Sequence, residues 1–265
     1  VAAVGGWFEQ RRTLALGLAV AGIGFGTLVM VPIIERVIEA NGWRDAYRVL
    51  AAVSGVLLVI AAIGAHRPPG SAASPRPIRE IISGRPDFWF LYASSLFLAA
   101  ALFTPFVFMA DYIDTTETSG SAAVLLGLIG MASIIGRLGL GALAGRVGIV
   151  GLYRLSSLGL GLSFLIWIVA DANYALLITF AIVLGVSYGG IIALSPAVVA
   201  QLFGTIGMGG VLGALYTANG LGGLIGPPTI GQIIDSSGHT AAQWTALASG
   251  LLGTALLYRL KPQAG

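Results

Sequence analysis

Residues 174–199 read YALLITFAIVLGVSYGGIIALSPAVV, without a single charged side chain. A helix rises about 1.5 Å per residue, so about 20 apolar residues cross a hydrocarbon core near 30 Å. Seven more such runs lie around this one: Thr13–Ile34, Ala46–Ala65, Phe88–Phe108, Val124–Ala144, Leu152–Ala170, Val211–Ile234 and Trp244–Leu260. The last is at the short end, and none holds more than two formal charges. Together they predict an all-α membrane protein with eight transmembrane helices.

Composition agrees. Charged residues make up 9% of the chain, against about 25% in an ordinary soluble domain. Glycine accounts for 39 of 265 residues, roughly twice its usual share. Helices in lipid associate by close backbone approach at small residues, not by hiding Leu against Leu. Gly22/Gly26, Gly141/Gly145, Gly185/Gly189, Gly209/Gly213 and Gly222/Gly226 are therefore read as packing pairs. There is no cysteine, which excludes thiolate catalysis and disulfides.

The loops alternate in charge. With the N-terminal segment inside, inner segments carry Arg11, Arg12, Arg67, Arg76, Arg79, Arg85, Arg146, Arg154, Arg259 and Lys261. Outer segments carry only Arg36, Arg44 and Arg48, together with Glu35, Glu39, Asp45, Asp111, Asp114, Glu117, Asp171 and Asp235. The positive-inside rule then puts both termini in the cytoplasm, and the expected location is a bacterial inner (plasma) membrane. The net charge of +3 mostly reflects this basic inner side. It does not imply nucleic-acid binding, which needs a basic patch with base readers. The chain begins at Val1 without a signal-peptide n-region, and its start reads as a cut through a longer polypeptide.

One segment breaks the apolar pattern. HRPPGSAASPRPIREIISGRPD, from His66 to Asp87, has five Pro and four Arg. It reads as a flexible inner linker, residues 66–87, with two spans before it (1–65) and six after it (88–265). A long inner loop dividing the helices in this way is expected of a transporter built from two halves.

Several strings invite chemistry. Gly185-Val186-Ser187-Tyr188-Gly189 fits the hydrolase nucleophile elbow, but no strand precedes it and the histidines, His66 and His239, lie in loops on opposite sides. Gly139 to Ala144 fits a dinucleotide fingerprint without the βαβ context that would make it one. No cofactor, metal or nucleotide site is expected, and the chain is not read as an enzyme.

Arg137 carries more information than either string. A cation within a span costs at least about 2.5–3.5 kcal/mol on insertion scales. Two readings stand open. It could snorkel toward the inner surface, about 10 Å of helix away. It could instead face a water-filled cavity, where its fork would clamp a carboxylate. Pro227-Pro228 after Gly226 is expected to break its helix, with Pro32, Pro105 and Pro196 as further kinks. Tyr216 and Asn219 lie three apart on one helical face, with Tyr188 and Ser187 in the span before, and Phe103 and Phe106 flank Pro105.

A resemblance follows from these strings. Trp7-Phe8-Glu9-Gln10-Arg11-Arg12-Thr13-Leu14-Ala15-Leu16-Gly17-Leu18-Ala19, followed by Ala21-Gly22, is similar to the start of the fifth helix of monocarboxylate-transporter-like members of the major facilitator superfamily. Trp43-Arg44-Asp45-Ala46-Tyr47 resembles the start of the sixth. Gly136-Arg137-Leu138-Gly139 and Leu143-Ala144-Gly145-Arg146-Val147-Gly148 resemble the eighth and the loop after it. Leu215-Tyr216-Thr217-Ala218-Asn219-Gly220 and Gly226-Pro227-Pro228 resemble the eleventh. The order is the family's.

The resemblance implies a twelve-helix protein of which these residues form helices five to twelve, with helices one to four upstream. It implies a secondary transporter of small organic anions, working by alternating access and driven by a proton or a counter-substrate. Arg137 would bind the substrate carboxylate, as in monocarboxylate transporters and oxalate:formate antiporters. Asn219, Tyr216 and Tyr188 would line the cavity, with Phe103 and Phe106 as apolar walls. Pro227, Pro228, Gly226 and Arg146 would serve gating. Three departures matter. Ser133 stands where monocarboxylate transporters place an Asp, Asn219 where oxalate:formate antiporters have a Lys, and Gly145 where the inner-loop motif has an Asp. The second favours a monoanion over a dianion. Efflux of drug-like or sugar-like solutes, and a non-transporting membrane sensor or scaffold, are the alternative functions.

Overall fold

The structure, a computed structural model, describes residues 12–64, 78–204 and 207–260. Every regular element among them is a helix: α1 (Arg12–Asn41), α2 (Trp43–Gly64), α3 (Ile78–Ile82), α4 (Pro86–Thr115), α5 (Ala122–Val147), α6 (Ile149–Ala170), α7 (Tyr174–Phe203) and α8 (Met208–Leu257). The Trp7–Arg11 part of the first family-like string, residue 65 at the end of a span and residues 66–77 of the linker, with His66, Arg67 and Arg76, lie outside the described residues, as does Lys261. The remainder of the linker holds the short helix α3, whose Ile81 and Ile82 pack on the core.

All eight expected spans are helical over their described residues, except that the last ends in a turn at Tyr258. By length and apolar content α2, α4, α5, α6 and α7 can each cross a membrane. On α2, Leu57, Leu58 and Ile63 are 60%, 69% and 75% exposed. A contiguous apolar face of that size suits hydrocarbon far better than water.

The 50 residues of α8 are two helices joined at a kink. The kink is not at Pro227-Pro228, as the sequence predicts, but at Gly238, the only residue of α8 with non-helical backbone (φ 81°, ψ 173°). The prolines sit inside regular helix, as Pro32, Pro105 and Pro196 do in theirs. A proline removes one intrahelical bond but leaves φ near the helical value, so a helix held by its neighbours runs through it. Here Gly226, just before the pair, lies directly on Ala100 of α4. The conformation of Gly238 belongs to a region that only glycine enters without strain.

The helices turn where the chain supplies caps. Ser121 accepts from the Val124 amide at the start of α5, and Asn173 accepts from Ala175 and Leu176 at the start of α7. Two arginines close helix C-termini from neighbouring elements. Arg85 donates to the Leu202 carbonyl at 2.7 Å, and Arg154 donates to Leu257 and Leu260 at 3.1 and 3.0 Å. Cations at these carbonyls oppose the negative end of the helix dipole. The same bundle end carries Arg146 and Arg259, and the opposite end carries Asp111, Asp114, Glu117 and Asp171.

Helix contacts pair α4 with α8, α5 with α7, α6 with both α7 and α8, and α1 with α5. Glycines make several of these approaches close, among them that of Gly161 in α6 to Gly250 in α8. A Cβ on Gly136 would strike the Val186 backbone, and one on Gly189 would strike the backbone of Ser133. Gly222 and Gly226 meet the stretch from Leu96 to Ala100 in the same way. The packing expectation therefore holds for Gly185/Gly189 and Gly222/Gly226. It does not hold for Gly22/Gly26, Gly141/Gly145 or Gly209/Gly213, where nothing described lies within 4 Å.

Two apolar cores result. Toward the acidic end, Phe164, Trp167 and Phe180 stack beside Tyr112, whose hydroxyl donates to the Asp171 carbonyl at 2.8 Å. There His239, next to the Gly238 kink, meets Asp111 at 3.1 Å. Toward the basic end, Phe88, Leu91, Tyr153, Leu194 and Val198 form the second core.

Candidate solute cavity

Between the two cores, α4, α6, α7 and α8 line a partly open cavity of about 110 Å³. Tyr188, Tyr216, Asn219 and Phe103, four of the six residues expected at a substrate site, line it. Sequence spacing placed Tyr216 and Asn219 on one face of α8, and both reach the same space. Leu98, Leu102, Leu160 and Ile191 make most of the wall apolar.

Phe106 is not part of the wall. It packs in the core toward the acidic end. Three residues on from Phe103 means a further 4.5 Å of rise and a turn of about 60° away from its face, enough to leave a small cavity.

Arg137 is 1% exposed, so it does not snorkel. It lies one side chain behind the cavity wall. Its guanidinium carbon is 5.6 Å from the Tyr188 ring centroid, and the Tyr188 hydroxyl is within hydrogen-bonding reach of it. The glycine contact of α5 on α7 explains the placement. With Gly136 on Val186 and Gly189 on Ser133, the two backbones are close enough for residue 137 to face residue 188. Ser133, one turn before Arg137, is fully buried in that crossing and donates to the Gly130 carbonyl at 2.7 Å.

Of the residues assigned to gating, Gly226 serves packing against α4, and Pro227 and Pro228 continue the helix. Arg146 is exposed in the last turn of α5. Ser187, the elbow serine, is mid-helix in α7 with no strand beside it. Among the described residues no three His, Cys, Asp or Glu side chains gather to hold a metal ion.

Three polar lining residues escaped the sequence reading: Ser95, Tyr153 and Ser195. Tyr153 sits one position after the start of an apolar run and reads as a residue at the span's mouth. Serines within apolar helices give little signal, because their hydroxyls can bond back to their own backbone.

Comparison with known proteins is consistent with this geometry. Residues 1–227 match the family described as Major Facilitator Superfamily. The chain belongs to the major facilitator superfamily. Among its relatives are proteins named monocarboxylate transporters. It is 28% identical to monocarboxylate transporter 12 of Xenopus laevis over 275 residues, covering 91% of this chain and 60% of that protein. It is 31% identical to monocarboxylate transporter 3 of Rattus norvegicus over 252 residues, 88% of this chain and 51% of that one. For monocarboxylate transporter 11 of Homo sapiens the figures are 29%, 97% and 58%. The chain thus spans about 60% of the length of the first of these relatives. It is a multi-pass integral membrane protein of the monocarboxylate-transporter-like kind.

Proposed function

We propose that this protein is a secondary transporter of small organic monoanions, not an enzyme, and that it works by alternating access. One observation carries the reading: a guanidinium almost fully removed from solvent, set one tyrosine deep behind an apolar cavity. A cation held there in low dielectric attracts an anion far more strongly than it would at a surface. A carboxylate entering between Tyr188 and Arg137 takes the place of the tyrosine hydroxyl and binds the planar fork with two parallel bonds. Leu98, Leu102, Phe103 and Ile191 cover the short apolar part of the solute.

Charge count argues for a monoanion, since Asn219 adds a hydrogen-bonding amide to the cavity but no second cation. The names of the relatives point to the same substrate class. Ser133 bears on coupling. Its hydroxyl is bonded to its own helix and its backbone is pressed on Gly189, so no proton carrier stands one turn from Arg137. Counter-substrate exchange therefore needs no further residue, whereas proton symport would need a carrier elsewhere. In the membrane the basic end faces the cytoplasm.

The test is uptake by the complete protein in proteoliposomes of labelled pyruvate, lactate and formate, with and without an inward proton gradient. Arg137→Gln is expected to lower kcat/KM about 10- to 100-fold, the equivalent of a charge-assisted hydrogen bond. Uptake by wild type that is indifferent to Arg137→Gln overturns the anion site.

A further inference from the structure

The cavity has a second polar end that the anion site leaves unused. Ser95 of α4, Tyr153 of α6 and Ser195 of α7 all line it. The Tyr153 hydroxyl lies beside both serine side chains on the same cavity wall. Apart from that hydroxyl end, Tyr153 is deep in the bundle, with 2% of its surface exposed and its ring in the core toward the basic end.

A serine inside a helix usually donates to a carbonyl about one turn back. Ser133, Ser157 and Ser163 do so, at 2.7, 2.9 and 2.7 Å. Among the described residues Ser95 and Ser195 have no such bond, and neither is tied to another backbone group. Ser94 and Ser156 have no hydrogen-bond partner among the described residues, but neither lines the cavity, and in this Ser95 and Ser195 differ from them. Three hydroxyls from three helices therefore face one space, with donors and acceptors to offer.

Their distance from the anion end is fixed by α7, which carries both Tyr188 and Ser195. Seven residues (195 − 188) correspond to about 10 Å of helix rise. A hydrogen bond of about 2.8 Å at each end leaves roughly 4–5 Å between the polar groups of a bridging solute, the span of a three- or four-carbon chain.

We propose that Ser95, Tyr153 and Ser195 form a subsite for an uncharged hydrogen-bonding group, so that the preferred solute is a short monocarboxylate hydroxylated at the end remote from its carboxylate. The proposal rests on the carboxylate reading of Arg137. It adds the other end of the molecule. The carboxylate sits on the cation, three or four carbons lie along the apolar wall, and the terminal hydroxyl exchanges hydrogen bonds with Tyr153.

A matched pair of solutes tests it. Uptake of butyrate and of 4-hydroxybutyrate is measured over a range of concentrations with the complete protein in proteoliposomes. Wild type, Tyr153→Phe and Ser195→Ala are compared. Wild type is expected to show a KM for 4-hydroxybutyrate about 3- to 10-fold below that for butyrate, the net worth of one neutral hydrogen bond. Tyr153→Phe abolishes the difference by raising the 4-hydroxybutyrate KM while leaving that for butyrate unchanged, and Ser195→Ala narrows it. Equal KM values in wild type overturn the subsite and leave the Arg137 reading standing. A Tyr153→Phe variant that raises both KM values alike also overturns it, because the tyrosine then acts only in packing. Should that variant not fold, an undiminished preference in Ser195→Ala overturns the proposal. Uptake of neither acid overturns the carboxylate reading, and the subsite with it.

Discussion

Two arginines in apolar surroundings show how little residue type alone decides. Arg137 and Arg154 both lie within long apolar runs, yet one ends beside a cavity and the other closes a helix. Arg154 donates to the Leu257 and Leu260 carbonyls and packs its guanidinium 5.0 Å from the Tyr258 ring centroid. Arg154→Ala is therefore expected to cost about 1–3 kcal/mol of stability, the range for hydrogen bonds to a charged group. Loss of amide-exchange protection should be confined to the end of α8. A thermal scan and hydrogen exchange on the purified protein check both parts, and exchange spread evenly over the bundle would count against a capping role. For Arg137 the sequence left snorkelling and a cavity open, since each satisfies the cation. Only the neighbouring helix, which brings Tyr188 over it, separates them.

At the scale of elements, small residues predict where helices can meet but not which of them do. Gly189 and Gly141 are alike in sequence, each half of a small-xxx-small pair. A Cβ at Gly189 meets the backbone of Ser133, whereas one at Gly141 meets nothing within 4 Å. Gly189→Ala should destabilise the protein by about 1–3 kcal/mol through overpacking. Gly141→Ala should be neutral or add up to about 1 kcal/mol through helix propensity. Thermal unfolding of the two variants side by side checks this, and equal effects would remove the distinction. The same limit explains the misplaced break in α8. Pro227-Pro228 is the strongest breaker in the local sequence, but α4 packs on Gly226 and holds that stretch helical. The chain turns instead at Gly238, beside the Asp111–His239 contact.

At the scale of the whole molecule, Arg85, Arg146, Arg154 and Arg259 lie at one end of the described bundle and Asp111, Asp114, Glu117 and Asp171 at the other. Under the positive-inside rule this predicts the orientation in the membrane. These 265 residues hold no cysteine, so single substitutions within them report the orientation against the unsubstituted protein as control. Asp114→Cys, exposed at the acidic end, is expected to react with a membrane-impermeant maleimide in intact cells. Arg146→Cys, exposed at the basic end, should react only after permeabilisation. The reverse pattern would invert the topology. From the sequence alone came the membrane environment, the helical spans, the charge asymmetry, and four of the residues that line the cavity. All of these depend on apolar length or local composition, which a single strand of chain carries by itself. The tertiary structure decided which glycines touch a neighbouring backbone, that Arg137 is buried behind Tyr188, that Phe106 leaves the cavity, and that Ser95, Tyr153 and Ser195 converge. Each of those facts joins residues from different helices, and their meeting depends on the axial register and rotation of whole elements. No periodicity within one helix encodes that.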